Sequence, residues 1–299
     1  MRVSDRQRYD VANSRIEKAK DSSVRVMDQL SSQRRIGALH DDPIGSTKIL
    51  KQKDRLSDLK NFQTNIAFSQ GFVSTSEEAL SVISDRLQRA RELSIAMAND
   101  TYGPESRSVT AKEIREIING VVQMANSRYG SRFVFSGFRT DAPSLDDDGT
   151  YLGDDGEIFV QVGEGRFQRI NTPGRTLFGG GIDRGGREHS NLIDTLLGLE
   201  RGLEANSKDI IHKSLSELDF HIDKTISLRT AIGATSSSLN EIYKQLDANM
   251  DLEKQALSKI EDLDVLQASS DFKRTEQVLQ STLLASNRLL QPSLLNYLQ

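Results

Sequence analysis

The sequence predicts a mainly α-helical protein with a β insertion, in which long helices from both chain ends pair into a coiled-coil terminal domain and a helical bundle, with a small antiparallel β domain between them. Apolar residues recur every three or four positions along both flanks of the 299-residue chain. In the centre, apolar and polar residues alternate instead, which is typical of strands. More than half of the glycines lie between Gly149 and Gly186, so the centre differs in kind from its flanks.

The first flank predicts a helix with a thin apolar face. Its apolar and small residues follow the 3.5-residue period of a coiled coil, at Ala12, Ile16, Ala19, Ser23, Val26 and Leu30. The small and polar members weaken this seam, and an isolated helix of this length has little stability without tertiary packing. We therefore expect this helix to need a partner.

A longer helix is predicted after the break at Asp41-Asp42-Pro43. The helical spacing resumes there and continues to Asn99, with Gly71 as its weak point. At about 1.5 Å per residue, such a helix would extend roughly 80 Å, a length typical of coiled coils and bundles. A turn around Pro104 separates it from a shorter helix that ends near Asn126.

The central alternation predicts strands around Phe133 and Phe135 and again across residues 158–162. Asp155-Gly156 and Gly163-Glu164-Gly165 have the composition of turns, so we expect both to close hairpins. The aromatic residues concentrated in this region supply a core for a small β domain.

From about Ser190 the helical period returns, and the last stretch again shows heptad spacing with polar interruptions. Both chain ends are therefore predicted as marginal amphipathic helices, and each can supply the partner that the other lacks. The residues expected to drive subunit assembly are Ile16, Val26, Leu30, Val265, Phe272, Leu279, Leu283, Leu290, Leu294 and Leu295.

These patterns divide the chain into five segments. Residues 1–42 and 260–299 form the two halves of an inner coiled-coil domain, residues 43–138 and 190–259 form the two parts of a helical bundle, and residues 139–189 form a variable β domain. The chain thus runs out and back, with its termini together at one end.

Composition excludes several classes of function. Cys is absent, which excludes disulfides, thiolate metal sites and a thiol nucleophile. A net charge of −4 is unlike that of a nucleic-acid binder. No segment approaches the roughly 20 apolar residues that span a bilayer, so no membrane insertion is expected. The start lacks the apolar core of a secretory signal, so export would need another route.

No arrangement of residues indicates catalysis or a cofactor. The four histidines, His40, His189, His212 and His221, lack metal-ligand or triad spacing, and Gly179-Gly180-Gly181 is not followed by the Lys-Ser/Thr of a phosphate loop. Asp146 and Asp148 fall at calcium-ligand positions of an EF-hand loop counted from Ser144, but the match is poor because the first ligand would be Ser and the last the short Asp155. Acidic residues and no basic ones occur from Asp141 to Glu157, which favours a solvated outer surface.

Three motifs resemble those of bacterial flagellins. The segment Leu30-Ser31-Ser32-Gln33-Arg34-Arg35-Ile36 followed by Asp41-Asp42-Pro43 resembles the flagellin Leu-Ser-Ser-Gly-x-Arg-Ile…Asp-Asp-Pro/Ala segment at the same spacing, with Gln33 in place of the usual Gly. Leu87-Gln88-Arg89-Ala90-Arg91-Glu92-Leu93 is similar to a second flagellin segment, and Ile260-Glu261-Asp262-Leu263-Asp264 to the opening of the C-terminal helix. The resemblance covers roughly residues 1–140 and 190–299.

Within the family, two further segments look like those of the subunit at the junction between flagellar hook and filament. They are Arg132–Thr140 and Leu289–Leu298. The resemblance implies a structural, non-enzymatic subunit, exported by the flagellum's type III route and needed for filament attachment and motility. Its implied partners are other copies of itself, the neighbouring hook-associated protein on the hook side, flagellin on the filament side and a cytosolic export chaperone.

Two alternatives remain open from the residues. A filament flagellin would share the helical ends and the family motifs. In another class, the amphipathic ends could belong to a secreted translocator-type protein that inserts into membranes, because an apolar stripe does not reveal its partner.

Overall fold

The computed structural model describes residues 2–99, 102–146, 148–183 and 185–290, and it is mainly helical as predicted. The helices within these ranges are α1 Arg2–Ser32, α2 Pro43–Ala98, α3 Pro104–Ala125, α4 Gly174–Phe178, α5 Leu192–Glu204, α6 Lys208–Glu261 and α7 Val265–Leu290. The strands are β1 Arg128–Tyr129, β2 Arg132–Phe133, β3 Phe159–Gly163, β4 Arg166–Arg169, β5 Gly181–Ile182 and β6 Glu188–His189.

The chain divides into two compact units. One combines Met1–Asp58 with Ala248–Gln299, and the other is Leu59–Asp247. We call them the terminal unit and the central unit. The terminal unit draws on both chain ends and the β ribbons lie between the helical flanks, so the predicted fold class is confirmed.

The central unit has one extensive apolar core. Residues of α2 that repeat at helical spacing are fully buried in it, including Leu80, Ile83 and Leu87. Helices α3 and α5 pack on each other and contribute Ile114 and Leu196, among others, to the same core. Because burial of apolar surface dominates folding free energy, this unit carries most of the protein's stability.

Gly71 is not a defect in α2, because an aromatic side chain needs its missing Cβ. A Cβ atom there would lie 2.3 Å from the Tyr129 hydroxyl oxygen. The Tyr129 ring packs edge-on against Phe68 and Phe72 of the same helix, with centroids 5.5 and 6.4 Å away. The absence of a side chain at Gly71 therefore allows β1 to pack against α2.

Helix boundaries follow the predicted breaks. Pro43 begins α2, and the Asp42 carboxylate accepts the Gly45 N–H at 2.9 Å, which satisfies one of the free donors at this helix start. Pro104 begins α3. Both prolines occupy the first helical position, where the absent N–H costs nothing.

The β region consists of three two-stranded antiparallel ribbons: β1–β2, β3–β4 and β5–β6. The predicted hairpin at Gly163–Gly165 is present, with Gly165 at a φ of 65° in the turn between β3 and β4.

Two details of the strand prediction are wrong. Strand β2 ends at Phe133, and Phe135 is instead a buried core residue whose ring packs edge-on against Phe178 at 6.0 Å. Asp155-Gly156 closes no hairpin, because the Asn171 side chain bonds both Ile158 N–H (2.7 Å) and the Gly156 carbonyl (2.8 Å) and holds this stretch extended.

Candidate assembly interface at the paired chain ends

Helices α1 and α7 pack along each other in the terminal unit. Residues near the start of α1, such as Gln7, share a groove with residues near the end of α7, such as Ser286. Val26, near the end of α1, instead lines a second groove with Asp271 near the start of α7. The two helices are therefore antiparallel, and each supplies a partner for the other's seam.

The seam is thin because its most buried members are small. Ala12, Ala268 and Ser286 are nearly inaccessible to solvent. The larger predicted residues Ile16, Val26, Leu30, Phe272 and Leu279 are only half-buried. Small side chains bury little apolar area, so the pair gains little free energy from its own contact.

The predicted assembly residues fall into three groups in the structure. Five are partly buried on α1 or α7, as above. Val265 and Leu283 are about half exposed, at 49% and 46%. The side chain of Leu290, together with Leu294 and Leu295, lies outside what the structure describes.

Apolar side chains also remain open to solvent on the same two helices, and we call them the open apolar surface. Its larger members are about half exposed or more: Tyr9, Val11, Val24, Met27, Val278 and Leu284. Val11 and Val278 line the groove between the helices, whereas Tyr9 points to the other side of α1 from Val11. So much exposed apolar surface is typical of a site that binds another protein.

The linkers beside this helix pair are joined by backbone hydrogen bonds. Arg35 N–H donates to the Glu261 carbonyl (2.8 Å), and Leu263 N–H donates to the Gln33 carbonyl (3.1 Å). Arg34 and Asp262 form the antiparallel bridge between them. We call this contact of residues 33–35 with 261–263 the linker clasp.

Glu261 supplies the charge at the linker clasp. Its carboxylate is 91% buried by side-chain area and accepts Lys53 Nζ at 2.9 Å and Arg34 Nε at 3.1 Å. Arg35 donates from its guanidinium to the Ile260 carbonyl at 2.8 Å. A buried carboxylate with two cationic partners fixes one arrangement of the linkers, because removing either partner would leave the charge undercompensated.

The family motif Asp41-Asp42-Pro43 shapes the linker before α2. The Asp41 carboxylate accepts the N–H groups of Ala38 (3.0 Å) and Gly37 (3.3 Å) and pairs with Arg25 at 3.2 Å. The hydrogen bond from Ala38 is the main cause that lowers the pKa of Asp41 below its usual value. Asp41 thus fastens the linker to α1, while Asp42 caps α2.

The motif at the other chain end works in the same way. The Asp264 carboxylate accepts the N–H groups of Leu266 (3.0 Å) and Gln267 (3.1 Å) and so caps the start of α7. In the first motif, Ser32 donates back to the Asp28 carbonyl (2.8 Å) and Ile36 is buried, whereas Ser31 is exposed. The motif residues therefore serve mainly to end and begin helices.

The middle motif lies in the central unit. Arg89 bonds Glu113 at 2.8 Å and Glu92 at 3.4 Å, and Arg91 bonds Asp219 at 2.5 Å. Leu93 is buried beneath them. Exposed ion pairs of this kind contribute little to stability.

Sequence reasoning missed part of this site. Lys53 and Arg25 carry no local signal for their roles, because Lys53 pairs with the distant Glu261 and Arg25 pairs with Asp41 in the linker beyond the end of α1. The Asp264 cap could have been found from its position directly before the last apolar period.

The acidic loop forms a closed turn. Asp146 Oδ1 accepts the Thr150 N–H at 2.7 Å, and Leu145 and Tyr151 form a bridge across the loop. Among the described residues, no group of three His, Asp or Glu side chains is arranged to hold a metal ion. None of the helices in the described ranges is both long enough and apolar enough to cross a membrane.

The chain matches two family models of bacterial flagellin. The N-terminal helical region matches residues 3–140, and the C-terminal helical region matches residues 215–298. Together they cover about three quarters of the chain, including α1, α7 and the linker clasp.

Curated relatives agree with this match. Flagellar hook-associated protein 3 of Salmonella typhimurium is 23% identical over 94% of this chain and 95% of its own. The Escherichia coli protein of that name is 25% identical over 60% of this chain and 57% of its own. Flagellin FlaB1 of Treponema pallidum is 23% identical over 85% of this chain and 84% of its own.

Solved structures share the fold. A flagellar hook-associated protein from Vibrio parahaemolyticus superposes with a TM-score of 0.67 and 22% identity, over 74% of this chain and all of the other. FlgL of Bacillus cereus superposes with a TM-score of 0.58 and 20% identity, over 71% of this chain and 99% of its own. Because the models of both flagellin helical regions match, one at each end of the chain, the chain belongs to the bacterial flagellin family.

Proposed function

We propose that this protein is the structural subunit that connects the flagellar hook to the filament, and that it assembles through α1 and α7. The observation that carries the proposal is the open apolar surface on the paired ends, because their mutual seam buries mainly small side chains. The hook-associated relative that aligns over 94% of the chain supports the junction role.

The mechanism couples ordering of the ends to docking. The α1–α7 seam is too thin to hold the free ends firmly, so they open readily in the monomer. Docking against neighbouring copies buries residues such as Val278 and Leu284 and supplies the missing free energy. Loosely held ends also suit a chain that is exported through a narrow channel.

The proposal assigns the five segments predicted from the sequence to layers of the assembly. Residues 1–42 and 260–299 line the inside, residues 43–138 and 190–259 form the bundle around them, and residues 139–189 lie outermost. The partners are other copies, the hook-associated protein on the hook side, flagellin on the filament side, and a cytosolic chaperone that holds the ends before export.

The segment 132–140, whose sequence resembles that of the junction subunit, has a fixed conformation. Gly137 has a φ of 69°, and Asp154 lies so close that a Cβ atom would meet its carboxylate oxygen at 2.1 Å. The same carboxylate accepts the Phe138 N–H at 2.7 Å, which leaves the Phe138 ring 66% exposed. The other segment, Leu289–Leu298, falls almost entirely outside the described residues.

Electron microscopy of flagella that carry a labelled copy of this protein tests the proposal. Label confined to the distal end of the hook is the expected result, and label along the filament would establish a filament flagellin instead. A deletion strain should retain hooks and secrete unpolymerised flagellin.

Amide hydrogen exchange on the free monomer tests the mechanism. Fast exchange is expected in α1 and α7, with slow exchange in α2 and α3. Slow exchange throughout residues 1–35 and 270–299 would contradict coupled ordering. Binding of the full chain to liposomes through its ends would favour the membrane-inserting alternative.

A further inference from the structure

The hairpin of β3 and β4 has one uncovered edge. The Ile170 N–H donates to the Ile158 carbonyl at 3.0 Å, and alternate pairs of an antiparallel ladder repeat this bonding. Val160 and Gln168 therefore form a hydrogen-bonded pair. The backbone N–H and C=O groups of their neighbours in each strand point away from the ladder. On β4 the outward-pointing residues are Phe167 and Arg169.

The two edges of the hairpin differ in how many of their outward backbone groups have hydrogen-bond partners. On the β3 edge, the Gln161 carbonyl accepts the Asn65 side-chain amide of α2 at 2.9 Å. On the β4 edge, within the part of the chain that the structure describes, the outward backbone groups have only one weak partner, a 3.3 Å bond from the Gln168 side chain to the Arg169 carbonyl. A free edge of this kind is a template for pairing with another strand.

The exposed face of the hairpin carries two phenyl rings and a guanidinium. Phe159 and Phe167 are 57% and 61% exposed. Arg169 lies directly opposite Phe159 and is ion-paired with Glu157, while Gln161 lies opposite Phe167. The opposite face includes the buried Val162 and Ile170. The rings are therefore available to a partner that extends the sheet.

We propose that β4 pairs with β4 of a second copy of this chain, in an antiparallel register that places Phe167 of each copy opposite Arg169 of the other. The pairing joins two hairpins into a four-stranded sheet about a two-fold axis through Gln168. The outward N–H and C=O groups of Phe167 and Arg169 then satisfy each other across the axis. A two-stranded ribbon is marginal in water, so two added strands stabilise it.

This register is complementary in charge and shape. Each Arg169 guanidinium lies between its own Phe159 and Phe167 of the other copy, an arrangement that favours a cation over an aromatic face. The chain already contains such a cross-strand pair, because Arg128 lies opposite Phe133 with its guanidinium carbon 4.1 Å from the ring centroid. If the two-fold axis passed through Arg169 instead of Gln168, the two Arg169 side chains would lie opposite each other. Repulsion between their like charges disfavours that register.

The contact is separate from assembly through the chain ends. A two-fold interface uses the same patch on both copies and closes on itself, so it forms pairs and cannot propagate. It involves only the central unit and does not depend on the junction role.

Sedimentation equilibrium of the full chain tests the proposal. We expect a reversible monomer–dimer equilibrium whose dimer is lost in Phe167→Pro, because proline removes one ring and one outward N–H without removing a bond of the hairpin itself. Ile182→Ser is the matched control, since Ile182 is an exposed apolar residue on the β5–β6 ribbon. It should dimerise like the parent chain.

A disulfide test fixes the register. The chain has no cysteine, so Gln168→Cys introduces a single thiol. In the proposed register the two copies of residue 168 form a non-hydrogen-bonded pair with Cα atoms about 4.5 Å apart, within the range that a disulfide spans. Mild oxidation should give a reducible dimer, and Arg166→Cys, which faces Ile170, should not.

Several results would overturn the inference. A chain that stays monomeric up to its solubility limit would do so, as would a dimer that persists in Phe167→Pro. Equal cross-linking of Gln168→Cys and Arg166→Cys would exclude this register. Leu279→Asp, which disrupts the α1–α7 seam, should leave the dimer intact, and its loss there would assign the dimer to the chain ends instead.

Discussion

Gln33 occupies a backbone position that suits glycine. Its φ of 56° lies in the left-handed region, and its carbonyl accepts the Leu263 N–H of the linker clasp. Gln in this conformation carries strain of about 1 kcal/mol that the family's usual Gly would not.

We expect Gln33→Val to weaken the linker clasp, because β-branched side chains tolerate positive φ least. The loss of about 1–2 kcal/mol should accelerate amide exchange at Leu263 about fivefold to thirtyfold. Gln33→Gly is the matched control and should exchange no faster than the parent chain. Equal exchange in the Val variant would mean that the clasp does not require this conformation.

His221 gives the central unit a pH dependence. Burial is the main cause that lowers its pKa to about 4, and its Nε2 lies 3.0 Å from the Ser190 carbonyl. Because the folded-state pKa lies below the unfolded value of about 6.5, the unfolded chain takes up the proton first as pH falls. The stabilisation is complete above about pH 6.5 and is lost as pH falls towards 4.

We therefore expect His221→Gln to flatten the stability profile between pH 6.5 and pH 4. Over this interval the parent chain should lose about 3 kcal/mol more than the variant. Urea unfolding followed by circular dichroism at several pH values measures the difference. The pKa of Asp183 is lowered by a hydrogen bond from the Arg187 N–H, so protonation of Asp183 also destabilises the folded chain as pH falls. This contribution is the same in the parent chain and the variant. Parallel profiles would show that His221 is not the group responsible.

At the scale of elements, Arg107 joins three helix ends. It is 3% exposed and donates from Nε to the Met97 carbonyl (3.0 Å) and from its terminal nitrogens to the Asn99 carbonyl (3.3 Å) and the Asn206 side chain. Its charge also suits the carbonyl end of α2. The turn from α2 to α3 is thus tied to the turn from α5 to α6.

Arg107→Met should lower the free energy of unfolding by about 2–3 kcal/mol, because it leaves buried carbonyl groups without donors. Thermal or urea unfolding of the full chain measures the loss. Arg89→Met is the control, since Arg89 makes only exposed ion pairs and should change stability by less than about 1 kcal/mol. A loss no larger than that of the control would show that water satisfies these carbonyls instead.

The helices could be predicted from the sequence, whereas the contacts between distant segments could not. Pro43 and Pro104 begin helices because proline fixes φ and lacks an N–H, which is a local rule. The bond between Lys53 and Glu261 joins residues 208 positions apart, and no local pattern encodes it. At Phe135 a local pattern was present but misleading. The alternation of apolar and polar residues predicted a strand there, but packing against Phe178 overrides that local preference.

At the scale of the whole molecule, side chains of the open apolar surface on the chain ends can contribute to assembly without contributing to the stability of the free chain. Leu284 on α7 is 65% exposed, so it contributes little to the folding of the free chain. In the proposed assembly the same side chain is covered by a neighbouring copy. Its two environments can therefore be tested independently.

Leu284→Glu should abolish incorporation into flagella while leaving the unfolding of the free chain within about 0.5 kcal/mol of the parent. Complementation of a deletion strain, scored by motility and by the protein content of purified hooks, measures incorporation. Gln280→Glu adds the same charge at an exposed position of α7 and should assemble normally. Normal motility with Leu284→Glu would place the assembly surface elsewhere.

The linker clasp has a consequence for how members of this family can diverge. The two hydrogen bonds that join the linkers run between backbone groups, so they need no particular side-chain functional group at residues 33 and 263. The buried carboxylate of Glu261, in contrast, needs a cationic partner. Here Lys53 of α2 and Arg34 of the linker after α1 provide it. Relatives should therefore vary freely at residue 263, and at residue 33 only among side chains that tolerate a positive φ, while a change at Glu261 should be accompanied by changes at Arg34 and Lys53.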